Sequence, residues 1–175
     1  VAFHLEFLFA THPFPKVLNK SLNFIITLEG KDAFGRNSGI AIVQAPRALP
    51  RLIQLPASCA SHEHDFVFLS SIIHKHATDL FPGMTVTGCY EFRATRNSDL
   101  YVSDEEAGDL MRALEGELPS RRFAEVVRLE VTNLCPQEIV DFLMHKFNLQ
   151  PTDIYAVDGP VNLNRMTAVQ NMVSR

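Results

Sequence analysis

The feature that most constrains the fold is a strict two-residue alternation that runs from Val86 to Ala94. Apolar or small residues at the even-numbered positions alternate with mostly polar residues at the odd-numbered ones. The even-numbered set is Val86, Gly88, Tyr90, Phe92 and Ala94, and the odd-numbered set is Thr87, Cys89, Glu91 and Arg93. Successive side chains of a strand point to opposite faces of a sheet. The alternation therefore predicts a half-buried strand, with one face packed on a core and the other polar.

The chain after this strand alternates between helix and strand signals. A capping box of serine and acidic residues opens a predicted helix over 103–118, which a proline ends. Residues 126–131 predict a strand, and a proline then opens an apolar-striped helix over 136–147. A last short strand is predicted over 154–157.

The first half of the chain is less regular. Its first twenty-odd residues predict no regular element, and the β-branched runs 24–29 and 40–44 then predict a hairpin. Prolines flank an edge-strand candidate at 52–55, and 66–69 is a further strand candidate.

A short helix follows the strand candidate at 66–69. Ser70 or Ser71 is predicted to cap it, and Phe81-Pro82-Gly83 to end it. An irregular first half followed by alternating elements predicts an α+β fold, with a mostly antiparallel sheet and packed helices.

Charge and composition exclude some classes of function. The net charge is −4, from 16 basic and 20 acidic residues, which argues against a nucleic-acid module. The apolar runs are too short for a membrane span, so no membrane span is expected. Three scattered cysteines do not form a disulfide framework and favour a reducing cytoplasm.

Arginine is the one functionally suggestive residue type, since eleven of the sixteen cations are arginines. The guanidinium group suits bidentate contacts with phosphate. Five arginines near the ends of the predicted strand–helix–strand unit could converge at one sheet edge: Arg93, Arg96, Arg121, Arg122 and Arg128. The alternative is that they pair with nearby carboxylates or stay solvated. The acidic neighbours are Asp104, Glu105, Glu106 and Glu125.

Other motifs are better explained structurally. The loop 30–37 has the glycine spacing of a phosphate-binding loop but lacks the Lys-Ser/Thr pair and leads into a strand, so it predicts a hairpin loop. Cys59, His62 and His64 cluster like metal ligands without a second ligand pair, which favours a solvated loop. His74 and His76 stand two apart on a predicted helix and cannot act as a pair.

Several stretches in order along the chain resemble the middle domain of polyphosphate kinases. The strings YEFRATRNSDL at 90–100 and RRFAEVVRLEV at 121–131 carry much of this likeness. Similar stretches lie at 50–56, 66–73, 79–83 and 155–163. The likeness covers most of the chain from about Leu22 onward, and the Cys/His-rich loop 57–65 departs from it.

The resemblance implies a domain organisation. Residues 1–22 would be an irregular lead-in from an upstream domain, 23–160 the middle domain, and 161–175 the start of a connection to a C-terminal catalytic domain. The parent enzyme would reversibly transfer the terminal phosphate of ATP to polyphosphate, using Mg²⁺ and a phosphohistidine. Its phosphorylated histidine, metal-binding arginines and adenine-stacking aromatic would lie in other domains, and no His-x-Lys pattern occurs in this chain.

This segment is accordingly expected to be a non-catalytic scaffold, subunit contact and tunnel wall. It would bind no cofactor or metal itself, and the isolated segment would be inactive. Its partners would be the rest of the parent polypeptide, a second copy in a homo-oligomer, and polyphosphate and ATP in the parent. The five arginines are candidates for a polyphosphate path or a subunit contact. The parent would be cytoplasmic, with membrane association of its complex left open. A stand-alone protein-interaction α+β module is the alternative.

Overall fold

The structure is a computed structural model that describes residues 4–8, 14–31, 35, 39–97, 124–166 and 169–170. Its sheets contain eight strands in this described part: β1 (His4–Leu8), β2 (Asn23–Gly30), β3 (Ile40–Gln44), β4 (Leu52–Gln54), β5 (Phe66–Phe68), β6 (Met84–Arg96), β7 (Val126–Thr132) and β8 (Ile154–Val157). The two described α-helices are α1 (Leu69–Lys75) and α2 (Gln137–Phe147). Short 3₁₀ turns occupy Thr78–Leu80, Pro151–Asp153 and Leu163–Met166.

Six strands form the main sheet in the order β1-β3-β2-β6-β7-β8, and β4 pairs with β5 separately. All neighbours in the main sheet are antiparallel except β7 and β8, which run parallel with α2 in the connection between them. The predicted α+β fold with a mostly antiparallel sheet is confirmed. The hairpin prediction is confirmed as well, because β2 and β3 pair directly across the loop that follows Gly30.

A core lies on each face of the main sheet. On one face, here called the α1 face, Phe24 and Ile26 of β2 pack with Ile73 of α1 and with Phe81. On the other, here called the α2 face, Phe92 of β6 and Leu129 of β7 pack against Leu143 of α2. Phe81, Phe92 and Leu143 are all at most 2% exposed, so the sheet is the middle layer of the described fold.

The central strand β6 departs from the alternation that predicted it. Thr27 pairs with Gly88 and Leu28 with Val86, so Thr87 is the extra residue of a β-bulge. The bulge exchanges the faces: Val86 packs with the α1 core, whereas Tyr90 packs with the α2 core. The expectation of one continuous polar face is wrong, because the bulge moves Val86 to the α1 face, which Glu91 and Arg93 share.

Helix ends show where capping predictions succeed. Pro136 precedes α2 as predicted, and Asn148 ends α2 in the left-handed conformation with φ 55°. The predicted serine cap of α1 is wrong. Phe68 occupies its N-cap position without a side-chain cap, and Ser70 lies inside the helix, buried.

The amino-terminal region is more ordered than predicted. The expectation of an irregular region over 1–22 misses β1, which pairs with β3 as one of the two edge strands of the main sheet. Phe14 contacts Phe142 and Phe147 edge-on, and Val17 is 2% exposed. The predicted helix over 103–118 lies outside the described residues.

Candidate functional site

A band of charged and aromatic side chains crosses β6, β7 and β8. Arg93 lies directly opposite Glu130 in the antiparallel pair, and Glu130 lies beside Tyr155 in the parallel pair. Arg93 has the opposite parity to Phe92 and Ala94, which places it on the α1 face of the sheet. We call Arg93, Arg128, Glu130 and Tyr155 the arginine stripe.

One carboxylate of the stripe serves two guanidinium groups. Arg93 donates from Nη1 to Glu130 Oε2 at 2.7 Å, and Arg128 donates from Nη2 to Glu130 Oε1 at 3.2 Å. The Arg93 and Glu130 side chains are 10% and 14% exposed, whereas Arg128 is 43% exposed. Low exposure strengthens the first pair, and Arg128 remains the solvent-facing member.

Tyr155 supports the exposed arginine. The Arg128 guanidinium carbon lies 3.7 Å from the centroid of the Tyr155 ring, which is cation–π distance. Tyr155 is 44% exposed, so this stack forms part of the protein surface. The contact with the ring limits the orientations that the guanidinium can adopt.

Arg96 lies apart from the stripe. It shares the parity of Phe92 and Ala94, and its guanidinium donates to the carbonyl oxygens of Val17 and Ala124. Its own backbone N–H donates to Asn19 Oδ1 at 2.9 Å. Arg96 therefore ties the segment before β2 to the end of β6 and the start of β7.

The structure brings Arg93 and Arg128 together through Glu130 and directs Arg96 elsewhere. Arg121 and Arg122 lie outside the described residues. Glu130 and Tyr155 were not singled out from the sequence as site residues. The signal for Glu130 was its parity with Arg128 in a predicted strand, whereas the pairing of β7 with β8, which brings in Tyr155, depends on topology.

A partly buried carboxyl group marks the next position along the α1 face. Glu91 accepts a hydrogen bond from the Val161 N–H at 3.3 Å. Burial raises the pKa of Glu91, while hydrogen bonds from Ser70 and Val161 and the nearby His74 oppose that rise. Glu91 thus joins β6 to α1 and to the segment after β8, which is a structural role.

A groove of about 360 Å³ lies on the other face, between α2 and the β7–β8 edge. Val131, Val140, Met144 and Ile154 supply apolar lining, and Asn133, Gln137 and Asp141 supply polar lining. Cys135 lines it too, and burial raises the pKa of this thiol to about 11. The thiol is therefore protonated and a poor nucleophile at neutral pH.

The Cys/His-rich loop contains a local capping arrangement. Asp65 Oδ2 accepts hydrogen bonds from the backbone N–H groups of Ser61 and His62, and Asp65 Oδ1 lies 3.4 Å from His62 Nδ1. Within the described ranges, no three His, Cys, Asp or Glu side chains come together as a metal site. Neither described helix has the length and apolar character that crossing a membrane requires.

The fold and the stripe define an α+β domain with a two-sided central sheet and paired arginines on one face. The model of the polyphosphate kinase middle domain matches residues 5–169. The chain belongs to the polyphosphate kinase middle-domain family.

Named relatives agree with this family. The polyphosphate kinase of Pseudomonas aeruginosa is 57% identical over 164 residues, covering 94% of this chain and 24% of the relative. That of Neisseria gonorrhoeae is 54% identical over 165 residues, covering 94% and 24%. The chain therefore spans about a quarter of the length of the curated relatives it matches.

A solved structure shares the fold. The crystal structure of polyphosphate kinase from Porphyromonas gingivalis superposes with a TM-score of 0.68, at 18% identity, over 95% of this chain and 22% of that one. At this identity the likeness concerns the fold.

Proposed function

We propose that this chain acts as the non-catalytic middle domain of an enzyme that reversibly transfers the terminal phosphate of ATP to polyphosphate. Support comes from the family match over 5–169 and from relatives named polyphosphate kinase. In this proposal, ATP, Mg²⁺ and the phosphorylated histidine belong to the rest of the parent polypeptide. Within the described part of the chain no three His, Cys, Asp or Glu side chains come together as metal ligands, and the proposal assigns no chemical step to this domain.

The middle domain contributes a wall of the path that the polyphosphate chain follows. The observation that carries this proposal is Arg128, whose side chain is 43% exposed and whose guanidinium carbon lies 3.7 Å from the centroid of the Tyr155 ring. A guanidinium can bind phosphate through two donors. Because the ring already restricts this side chain, it loses less conformational entropy when phosphate binds. Arg93, which is less exposed and pairs with the same Glu130, adds a second positive charge to the stripe. Arg121 and Arg122 remain candidates for the same path, whereas the donors of Arg96 already contact backbone carbonyls.

A surface for subunit or interdomain contact is the second part of the proposal. The groove between α2 and the β7–β8 edge combines apolar and polar lining next to the outermost strand of the sheet. We propose a homo-oligomeric parent in the cytoplasm, and an interaction module acting alone is the competing function. Reading the coding sequence downstream of Arg175 separates them, because the enzyme requires a His-x-Lys pattern there.

Replacing Arg128 by Ala tests the polyphosphate path. In the parent enzyme we expect polyphosphate affinity to fall about three- to tenfold, because a half-exposed charged contact contributes on the order of 1 kcal/mol. The slope of log affinity against log salt should also become shallower by about one ion contact. Fluorescence titration across a salt series measures both.

Arg47→Ala is the matched control, because Arg47 is an exposed arginine away from the stripe and removal of either side chain changes the charge equally. We expect Arg47→Ala to leave affinity within about twofold. Equal affinities and salt slopes for wild type and a folded Arg128→Ala variant would remove the stripe from the proposed path.

A further inference from the structure

The arginine stripe has more positive charge than its own carboxylate neutralises. Two guanidinium groups contact Glu130, which leaves these three side chains with a net charge of +1. Arg93 is 8% exposed, and its Nε is buried without a hydrogen-bond partner. Buried donors are normally satisfied, so the stripe has capacity for a further acceptor.

The open side of the stripe faces solvent at Arg128. Its guanidinium and the Tyr155 ring are each about half exposed, whereas Glu130 lies deeper between the two arginines. Carboxylate and phosphate oxygens use the same planar donor fork of arginine. An incoming phosphate would thus meet Arg128 first and would then compete with Glu130 for its donors.

We propose that Glu130 is a resident anion that a phosphate group displaces from Arg128 when an oligophosphate binds, an inference that rests on the proposed polyphosphate path. The carboxylate keeps the arginines in place when the site is empty. Displacement costs part of the binding free energy and holds each contact weak. A polymer that moves past a wall requires contacts that are strong enough to bind and weak enough to release.

Competition between Glu130 and phosphate predicts that neutralising Glu130 raises the affinity for oligophosphate. If Glu130 were only a structural partner, its neutralisation would disorder Arg128 and weaken anion binding. If Glu130 competes with phosphate, neutralisation should strengthen binding, although the variant loses two ion pairs. The two accounts therefore predict opposite changes for one substitution.

The test is calorimetric titration of the 175-residue chain with sodium tripolyphosphate at low salt. We expect Glu130→Gln to bind about five- to tenfold more tightly than wild type, because a charge-assisted competitor is removed. Glu138→Gln is the matched control, since Glu138 is exposed on α2 and makes the same chemical change. It should shift affinity less than about twofold, through net charge alone.

Glu130→Asp provides a second variant that keeps the charge and shortens its reach. It should bind tripolyphosphate more tightly than wild type and less tightly than Glu130→Gln. Unchanged or weaker binding by either folded Glu130 variant overturns the displacement of Glu130. If Arg128→Ala still weakens binding in that case, the polyphosphate path survives; if no variant differs from wild type, both proposals fail.

Discussion

At the scale of single residues, Gly88 shows how tightly β6 is packed at its bulge. A Cβ built at Gly88 would lie 2.5 Å from the Tyr90 hydroxyl oxygen and 2.7 Å from Thr27 Oγ1. The Tyr90 side chain therefore occupies the space that a side chain at Gly88 would need. The Thr87 hydroxyl donates a cross-strand hydrogen bond to Thr27 Oγ1 at 2.8 Å, which holds the Thr27 side chain in place beside Gly88.

We expect Gly88→Ala to lower the free energy of unfolding by about 1–3 kcal/mol, because Tyr90 and Thr27 must both move. Gly39→Ala is the control, since a Cβ at Gly39 meets no atom of the described residues within 4 Å. That substitution should be neutral or slightly stabilising. Urea unfolding followed by circular dichroism measures both, and equal midpoints for the two variants would contradict the packing described at Gly88.

At the scale of elements, Arg96 connects three parts of the chain that are distant in sequence. Its side chain and backbone N–H bind the segment before β2, and the guanidinium also binds Ala124 just before β7. Burial lowers the pKa of Arg96 from its ordinary value, as expected for a guanidinium partly removed from water. The contacts make Arg96 a structural tether.

Arg96→Ala should destabilise the chain by about 2–4 kcal/mol, because several charge-assisted hydrogen bonds are lost and partly buried carbonyls are left unpaired. Arg47→Ala removes a single exposed hydrogen bond to the Asn19 carbonyl in the same segment and should cost less than about 1 kcal/mol. Thermal unfolding distinguishes them. A loss of polyphosphate affinity by Arg96→Ala at unchanged stability would instead favour Arg96 as a ligand contact.

Sequence patterns predicted elements better than their environments. Strand β8 and the β2–β3 hairpin have clear β-branched runs with turn residues beside them, so local chemistry was sufficient. The burial of both faces of β6 depends on what packs there, which a two-residue period does not encode. The strand β1 was missed because its pairing with β3 is non-local.

The candidate site was also predicted only in part from the sequence, because its arginines are visible there and the pairing of its strands is not. Arginine content indicated anion chemistry, and Arg93 and Arg128 do share one carboxylate. Arg96 lies on the opposite face from Arg93 because the two residues are three apart on one strand, and an odd spacing reverses the face. Tyr155 joins the stripe through the parallel β7–β8 pair, which no short sequence window reveals.

At the scale of the whole molecule, the described chain is a three-layer scaffold with a charged band on one face and a groove on the other. Its buried residues form two cores around one sheet. The charged band on one face consists of Arg93 and Arg128, which share the Glu130 carboxylate. We propose that this arrangement serves as a scaffold within a longer enzyme.

Incubation with γ-labelled ATP and Mg²⁺ tests that role most directly, with the 175-residue chain compared against the full-length parent polypeptide. We predict that the parent acquires an acid-labile, base-stable phosphohistidine label and elongates polyphosphate. The 175-residue chain, folded by circular dichroism, should acquire no label. A phosphohistidine on the 175-residue chain, or a parent that neither labels nor elongates polyphosphate, would contradict the account.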